Sequence, residues 1–175
     1  MELNYVLKKR RSIRKFIEKE IPQEIIREII ESGLIAPSAH NRQPWKVKIV
    51  KEDKNKIVGY MRQYGNKNQE DISILKTADT IERCNTLLLI YCDNFEQYEY
   101  NLLSIGAMIE NILLTATDKN IASVWIANVC PIESYINQLF KIDSSQNKLV
   151  SAVALGYSDV IPKEIVRKQM QDILL

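Results

Sequence analysis

Residues 10–16, RRSIRKF, and residues 36–45, APSAHNRQPW, are the two polar segments that carry most of the structural information in this sequence. The first is rich in arginine, whose planar fork donates hydrogen bonds in pairs to phosphate. A solvated basic run or a weak nucleic-acid patch is the competing interpretation. Side chains alternate along an extended segment. We therefore expect one row of Arg10, Ser12 and Arg14 and an opposite row of Arg11, Ile13 and Lys15.

The second segment, residues 36–45, contains two prolines that stiffen the backbone. The short side chains of Ser38 and Ala39 would let a flat ring system approach closely. Asn41 and Gln43 each offer a donor and an acceptor, as recognition of a heterocycle edge requires. The competing interpretation is a plain connection from a helix to a strand, anchored by a core tryptophan at Trp45.

Length and composition predict one globular domain over residues 1–175, with 46% hydrophobic and 26% charged residues. The net charge of +2 predicts neither a nucleic-acid nor a membrane partner. No apolar run approaches the ~20 residues of a membrane span. Three cysteines without CxxC spacing are typical of reduced thiols, so we expect a cytoplasmic protein.

Scarce residue types exclude several kinds of site. His40 is the only histidine, so we expect no metal centre and no catalytic triad, and we interpret His40 as a surface residue. The five glycines are too dispersed for GxGxxG or for a P-loop. If the chain is an enzyme, a bound cofactor is expected to carry its chemistry.

Hydrophobic periodicity predicts an α+β fold with a central mixed β-sheet flanked by helices. Residues 65–71, GNKNQED, are expected to form a mobile loop. Trp125 is expected in the core, and the alternative is that it forms one wall of an acceptor site. Helices are predicted over 4–9, 22–33, 53–64, 101–119, 132–140 and, in the tail, 162–175. Strands are predicted over 45–50, 86–92, 122–127 and 149–155.

Taken together, RRSIRKF and APSAHNRQPW resemble the N-terminal signature of the nitroreductase family. The resemblance extends to a long central helix over residues 104–116, to the strand at 122–126 and to the late strand and turn at 153–157. Residues 51–85 match the family poorly. The resemblance implies a nitroreductase-like fold and an intertwined homodimer that binds FMN at its interface.

By resemblance, Arg10, Ser12 and Arg14 hold the phosphate and ribityl chain of FMN, with Arg11 adjacent and Arg167 and Lys168 closing from the C-terminal segment. The partner subunit would contribute Pro37, Ser38, Ala39 and Asn41 to the isoalloxazine site, with Gln43 at the same edge. We also expect the C-terminal segment to reach across the partner.

The implied activity is ping-pong electron transfer from NAD(P)H to nitroaromatics, quinones or similar acceptors, with no catalytic residue named. Three alternatives stay open. They are a dedicated flavoenzyme for desaturation, dehalogenation or flavin degradation, a non-catalytic FMN sensor or store, and an RNA-binding domain using residues 8–15.

Overall fold

The computed structural model describes residues 2–67, 71–93, 98–163 and 165–175. The described helices are α1 (Leu3–Lys9), α2 (Gln23–Leu34), α3 (Lys54–Lys67), α4 (Ile72–Arg83), α5 (Tyr98–Asp118) and α6 (Glu133–Phe140). The strands are β1 (Trp45–Val50), β2 (Thr86–Cys92), β3 (Ala122–Ile126) and β4 (Lys148–Gly156). Short 3-10 turns occupy Ala39–Asn41, Cys130–Ile132 and Met170–Asp172.

The four strands form a sheet in the order β1-β2-β4-β3, and each of the three pairings is antiparallel. The α+β fold is confirmed, but the sheet is not the mixed sheet that the sequence predicts. The helical hairpin α3–α4 returns the chain to the end of the sheet where it left β1, so β2 pairs antiparallel with β1. A parallel contact exists only as the isolated bridge between Ser12 and Ser123 among the described residues.

The sheet is covered by helices on both faces, because side chains alternate along its central strands. In β2, Leu87, Leu89 and Tyr91 join the core shared with α3, α4 and α6. Leu88 and Ile90 face the opposite core, which is shared with α2 and α5. Every residue of β2 is buried, as its continuous apolar sequence predicts.

Helix α5 is the central helix, and it is buried around much of its circumference as predicted, with Ile105, Met108, Ile109 and Ile112 fully enclosed. It packs against α2 at Gly33, where an added Cβ would lie 3.0 Å from side-chain atoms of Met108 and Ile112. Among the described residues, no helix is both long and apolar enough to cross a bilayer.

Helix α4 is the element that the sequence prediction missed. Asp71 caps its first turn by accepting hydrogen bonds from the backbone N–H groups of Ser73 and Ile74. The predicted loop over 65–71 is wrong at both ends, since α3 continues to Lys67 and Asp71 is a helix cap. Residues 68–70 of that loop lie outside the described residues.

The C-terminal tail also departs from the prediction of a helix over 162–175. Its described residues, 162–163 and 165–175, are exposed and contain a single 3-10 turn at Met170–Asp172. Ile165, Met170, Ile173 and Leu174 pack against no core of this chain and are exposed to solvent. A helix gains most of its stability from a packed apolar face, and the tail has no such contact within one chain.

Candidate functional site

The arm, defined as Arg10–Phe16, lies in an extended conformation beside β3. Ser12 bridges Ser123 in parallel, and the backbone N–H of Ile13 donates to the carbonyl of Ser123 at 2.9 Å. Beyond the arm, the N–H of Ile17 donates to the carbonyl of Tyr157 at 2.9 Å. Phe16 is buried against Gly156. The arm is therefore fixed to the sheet at several points along its length.

The predicted alternation of the arm is consistent with the cavities that its side chains line. Arg14 lines a cavity of about 510 Å³ between the arm, α4 and the end of β3, which we name the α4 cavity. Arg11 and Ile13 line a second cavity of about 300 Å³, which we name the tail cavity. The two rows thus open into different spaces.

The α4 cavity combines cationic, hydroxyl and aromatic groups. Trp125 lines it and is 42% exposed, so the prediction of a core tryptophan is wrong. Trp125 belongs to the edge strand β3, and its ring lies beside Gly106 of α5, where an added Cβ would be 3.7 Å from Cη2. The remaining lining residues are Arg14, Ile72, Ser73, Lys76, Thr77, Thr80, Val124, Ile126, Ala127 and Asn128.

Asn128 joins the two walls of the α4 cavity. Its side-chain Nδ2 donates to the hydroxyl oxygen of Ser73 and, at 3.4 Å, to that of Thr77. The Thr77 hydroxyl in turn donates to the carbonyl of Ser73 at 2.9 Å, so its oxygen accepts from Asn128. This small network connects α4 to the residues that follow β3.

Two residues that line the tail cavity each carry a buried polar atom without a hydrogen-bond partner among the described residues, namely Arg11 Nε and Ser123 Oγ. Ser123 as a whole is only 2% exposed. The Nη1 of Arg11 donates to the carbonyls of Lys8 at 2.6 Å and Arg10 at 2.7 Å, so its own backbone holds the guanidinium in place. Buried donors are nearly always satisfied in proteins, and these two point to a polar ligand or water.

Arg10 lies on α5's side of the arm, where its Nε forms an ion pair with Glu110 at 3.2 Å. The side chain of Arg10 is largely buried, whereas Ser12 and Arg14 are exposed. Arg14 Nη1 lies 3.4 Å from the carbonyl of Ser12. The guanidinium of Arg10 is therefore oriented by a carboxylate, whereas that of Arg14 is open to solvent.

The ring loop, defined as Pro37–Gln43, is held in an unusual conformation. His40, Asn41 and Gln43 have φ values of 53°, 54° and 50°, in the left-handed region that L-residues rarely adopt. The backbone N–H of Gln43 donates to Ser38 Oγ at 3.0 Å, and that of Ala39 to Ser104 Oγ of α5 at 3.4 Å. Strained residues of this kind cluster at functional sites.

The ring loop contributes none of its residues to either cavity of the arm as those cavities are described. Pro37, Ala39, Asn41 and Gln43 are exposed, Ser38 is half-buried, and His40 is a surface residue as predicted. Gln43 Nε2 donates to Asn41 Oδ1 at 3.2 Å, so the two amides of the loop meet each other. Within one chain, the two predicted halves of the site are therefore not brought together.

The two basic residues predicted in the tail, Arg167 and Lys168, are exposed. Ser158, Val160 and Pro162, at the start of the same segment, line the tail cavity beside Arg11. The tail therefore begins at the arm, and its basic residues lie further along an exposed stretch.

Cys84 and Cys130 are unsuited to nucleophilic chemistry at neutral pH. Burial raises the pKa of the Cys84 thiol to about 11. Burial is also the main cause of the raised pKa of Cys130, with the nearby Glu133 carboxylate adding to it. The thiolate is the reactive form, so neither group supplies a nucleophile here.

The fold and these cavities can be set beside known proteins. Residues 7–157 match the family model described as the nitroreductase family. The chain belongs to the nitroreductase family. The family match includes the arm, the ring loop and α4, and it ends at Tyr157, before the exposed tail.

Individual relatives of this nitroreductase family member are distant in sequence but match most of its length. Iodotyrosine deiodinase of Nematostella vectensis is 25% identical over 97% of this chain and 72% of its own. The 4-nitrobenzoate reductase of Pseudomonas putida is 21% identical over 90% of this chain and 86% of its own. The structure of the FMN-dependent nitroreductase NfnB of Mycobacterium smegmatis in complex with NADPH has a TM-score of 0.82 at 17% identity, covering 98% of this chain and 96% of its own.

Sequence reasoning missed Ser73, Lys76, Thr77 and Asn128 as lining residues of one cavity, whereas Trp125 was considered as one wall of the acceptor site. A signal for α4 was present, since Ile74, Ala78 and Ile81 recur at helical spacing after the capping residue Asp71. That spacing identifies the buried face of α4. Only the packed structure brings its opposite, polar face beside the arm.

Proposed function

We propose that this nitroreductase family member is an FMN-dependent oxidoreductase that transfers electrons from NAD(P)H to nitroaromatics, quinones or similar electrophiles in ping-pong order. The observation that carries the proposal is the pair of cation-lined cavities along the arm, one of which holds the unpartnered Nε of Arg11. When bound, FMN supplies the redox chemistry that the side chains lack.

The phosphate end of FMN fits the donors of the arm. Arg11 Nε has a proton and no acceptor, and Ser123 Oγ in the same cavity is likewise unpartnered. We assign Arg10, Arg11, Ser12 and Arg14 to the phosphate and ribityl chain, because charge-assisted hydrogen bonds to phosphate are the strong ones. Arg167 and Lys168 would close over the phosphate from the tail.

The ring end fits the α4 cavity. Lys76 places a cation on its lining, where it would stabilise negative charge on a reduced ring, and Arg14 lines the same cavity from the arm. Trp125 provides an aromatic wall, and its exposure leaves one side accessible to a second reactant. No side chain is assigned as an acid or base, and the site's contribution is orientation and electrostatics.

The ring loop is proposed to act on the FMN of a partner subunit in a homodimer. The ring loop is attached to α5 through Ala39, whereas Arg14 lines the cavity beside α4. The loop residues assigned to the partner's FMN are Pro37, Ser38, Ala39, Asn41 and Gln43. Close to the loop's attachment point, α5 exposes Tyr100 at 65% and Leu103 at 76%. Exposed apolar patches of this kind mark protein interfaces.

The exposed tail is proposed to cross onto the same partner, which would cover Ile165, Val166 and Ile173. Deleting residues 163–175 is expected to abolish both dimer formation and FMN retention, because that apolar surface and Arg167 would be lost together. Size-exclusion chromatography with light scattering measures dimer formation. Absorbance at the flavin maximum measures FMN retention. Recovery of a flavin-loaded dimer would contradict this arrangement.

We further propose that residues 1–175 form one functional domain that works in the cytoplasm. The single domain is supported by the two apolar cores, which lie on opposite faces of one sheet. The cytoplasmic location is supported by three free thiols. Cys84 and Cys92 are buried and Cys130 is half-buried.

The first experiment purifies the protein without added cofactor, records its visible spectrum, and adds NADH and NADPH separately without oxygen. A yellow protein that releases FMN on denaturation and is bleached by either nicotinamide is the expected result. A colourless protein that takes up no FMN would overturn the proposal. Steady-state rates with nitroaromatics and quinones then test the acceptor class, and slow turnover with all of them would favour a dedicated flavoenzyme.

A matched pair of variants tests the arm itself. Arg14→Ala is expected to weaken FMN binding by about 10- to 100-fold, the range of a lost hydrogen bond to a charged group. Lys15→Ala removes a neighbouring cation from the opposite row and is expected to change binding less than about 3-fold, as a long-range charge exposed to salt does. Equal losses in both variants would mean that only the net charge of the arm matters.

A further inference from the structure

The side chain of Asn128 makes hydrogen bonds across the α4 cavity. Its Nδ2 reaches Ser73 and Thr77 on α4, and all three residues line the cavity together with Lys76 and Trp125. Asn128 itself is half-buried, and the residue after it, Val129, is fully buried. The amide is therefore carried by a part of the chain that is fixed to the core.

Helix α4 needs such a connection because its apolar contacts lie on another face. Ile74, Ala78 and Ile81 are buried in the core that α3 shares. The row that faces the cavity contains Ser73, Lys76 and Thr77, which are exposed or half-buried. The same core contains Val124 and Ile126 of β3, so apolar packing holds the inner face of α4 on both α3 and the sheet. The amide of Asn128 adds a polar link between the outer face of the first two turns of α4 and the residues that follow β3.

We propose that Asn128 is a positioning residue of this site, which holds Lys76 of α4 at its distance from Arg14 and Trp125. The identity of the ligand rests on the proposed function, while the connection between α4 and β3 is a property of the chain alone. Loss of the amide removes the polar link between the first two turns of α4 and the end of β3, so we expect Lys76, on the same face of α4, to shift away from a bound ring.

Two readouts on the loaded protein follow. Asn128→Ala is expected to weaken FMN binding about 10-fold, measured by quenching of FMN fluorescence on titration into apo-protein. It is also expected to lower the midpoint potential of the bound flavin, because a cation that favours the reduced, anionic form lies further away. A purely structural role would lower stability and leave the potential unchanged.

A double-mutant cycle separates positioning from direct contact with the ligand. In a Ser73→Ala/Thr77→Val background, the Asn128 amide has no acceptor on α4, so Asn128→Ala is expected to change FMN binding less than about 3-fold. A 10-fold loss that persists in this background would overturn the proposal, because Asn128 would then act on the ligand itself. So would an Asn128→Ala variant that binds FMN as the wild type does, with an unchanged potential.

Amide hydrogen exchange of the apo-protein tests the connection without any ligand. Residues 72–80 are expected to exchange faster in Asn128→Ala than in Asn147→Ala, a control in which the lost amide donated to the carbonyl of Asp143. If wild-type protein binds no FMN, the proposed function fails, and this comparison alone decides the role of Asn128. Equal exchange rates in Asn128→Ala and Asn147→Ala would overturn the positioning role of Asn128.

Discussion

The arm and the ring loop are both short, polar and rich in hydrogen-bonding side chains, but the structure holds them in different ways. The arm adds to the edge of the sheet through Ser12 and Ile13 and ends on a buried phenylalanine, Phe16. The ring loop makes its turn through three residues at positive φ and is attached to α5 through Ala39.

The difference concerns where each segment finds its partners. The arm's side chains open into cavities that the same chain completes with α4, β3 and the start of the tail. In the ring loop, the amides of Asn41 and Gln43 bond to each other and lie at the surface. A segment whose backbone is strained and whose polar groups face outward is suited to a ligand or subunit that lies beyond its own chain.

The largest effect is expected from heterodimers that carry Arg14→Ala in one subunit and Asn41→Ala in the other. If arm and loop act on FMN from different subunits, one site of this heterodimer is doubly altered and the other is intact. Half of the sites should then bind FMN as the wild type does, although each altered homodimer binds at least about 10-fold more weakly. Differently tagged chains, co-expressed and purified in two steps, provide the sample for titration.

The alternative arrangement, in which arm and loop belong to one chain, gives a different result. If arm and loop served the same FMN from one chain, every site of the heterodimer would carry one alteration. No fraction would bind with wild-type affinity. A heterodimer with both substitutions in one subunit and none in the other is the matched control, because it reverses the expectation for each arrangement.

An intermediate effect is expected at Gly156, where the arm is fixed. A Cβ at this position would lie 2.6 Å from Cδ1 of Phe16 and 3.0 Å from its Cγ, so Gly156→Ala must displace the ring. We expect the free energy of unfolding to fall by about 1–3 kcal/mol, as overpacked cores do, and FMN binding to weaken. Urea-induced unfolding of the apo-protein measures the first.

Gly59 is the control for this substitution, since it lies in α3 with nothing within 4 Å of an added Cβ. Gly59→Ala is expected to raise the free energy of unfolding by about 0.5–1 kcal/mol, because alanine favours a helix interior over glycine. If Gly156→Ala changed the free energy of unfolding in the same direction as Gly59→Ala, Phe16 would be packed no more tightly against Gly156 than solvent is against an exposed helix.

The smallest effect is expected within the ring loop, at His40 and Arg42. His40 has a φ of 53°, whereas Arg42 is helical with a φ of −68°. Glycine relieves steric strain at the first position and only adds backbone freedom at the second. We therefore expect Arg42→Gly to lower the free energy of unfolding by about 0.5–1 kcal/mol and His40→Gly to leave it equal or higher. Thermal unfolding of both variants checks this, and equal losses would argue against strain in the loop.

Features that depend on local periodicity and residue chemistry can be predicted from the sequence alone. The buried strand at Thr86–Cys92 and the long helix α5 follow from spacings that a short window contains. The α+β fold follows from the same spacings. The signature carried by the arm and the ring loop led to the family that the match over residues 7–157 shows.

How these elements pack against one another depends on long-range contacts. The antiparallel order of the sheet, the exposure of Trp125 at its edge and the cavity between Arg14 and α4 depend on which surfaces pack together. Periodicity identifies the apolar face of α4, but it does not say which neighbour its polar face will meet. The tail shows the same limit, because a segment rich in apolar residues becomes ordered by contacts, and a single chain offers it none. Local spacing specifies the elements, and long-range packing decides which of their polar faces share a site.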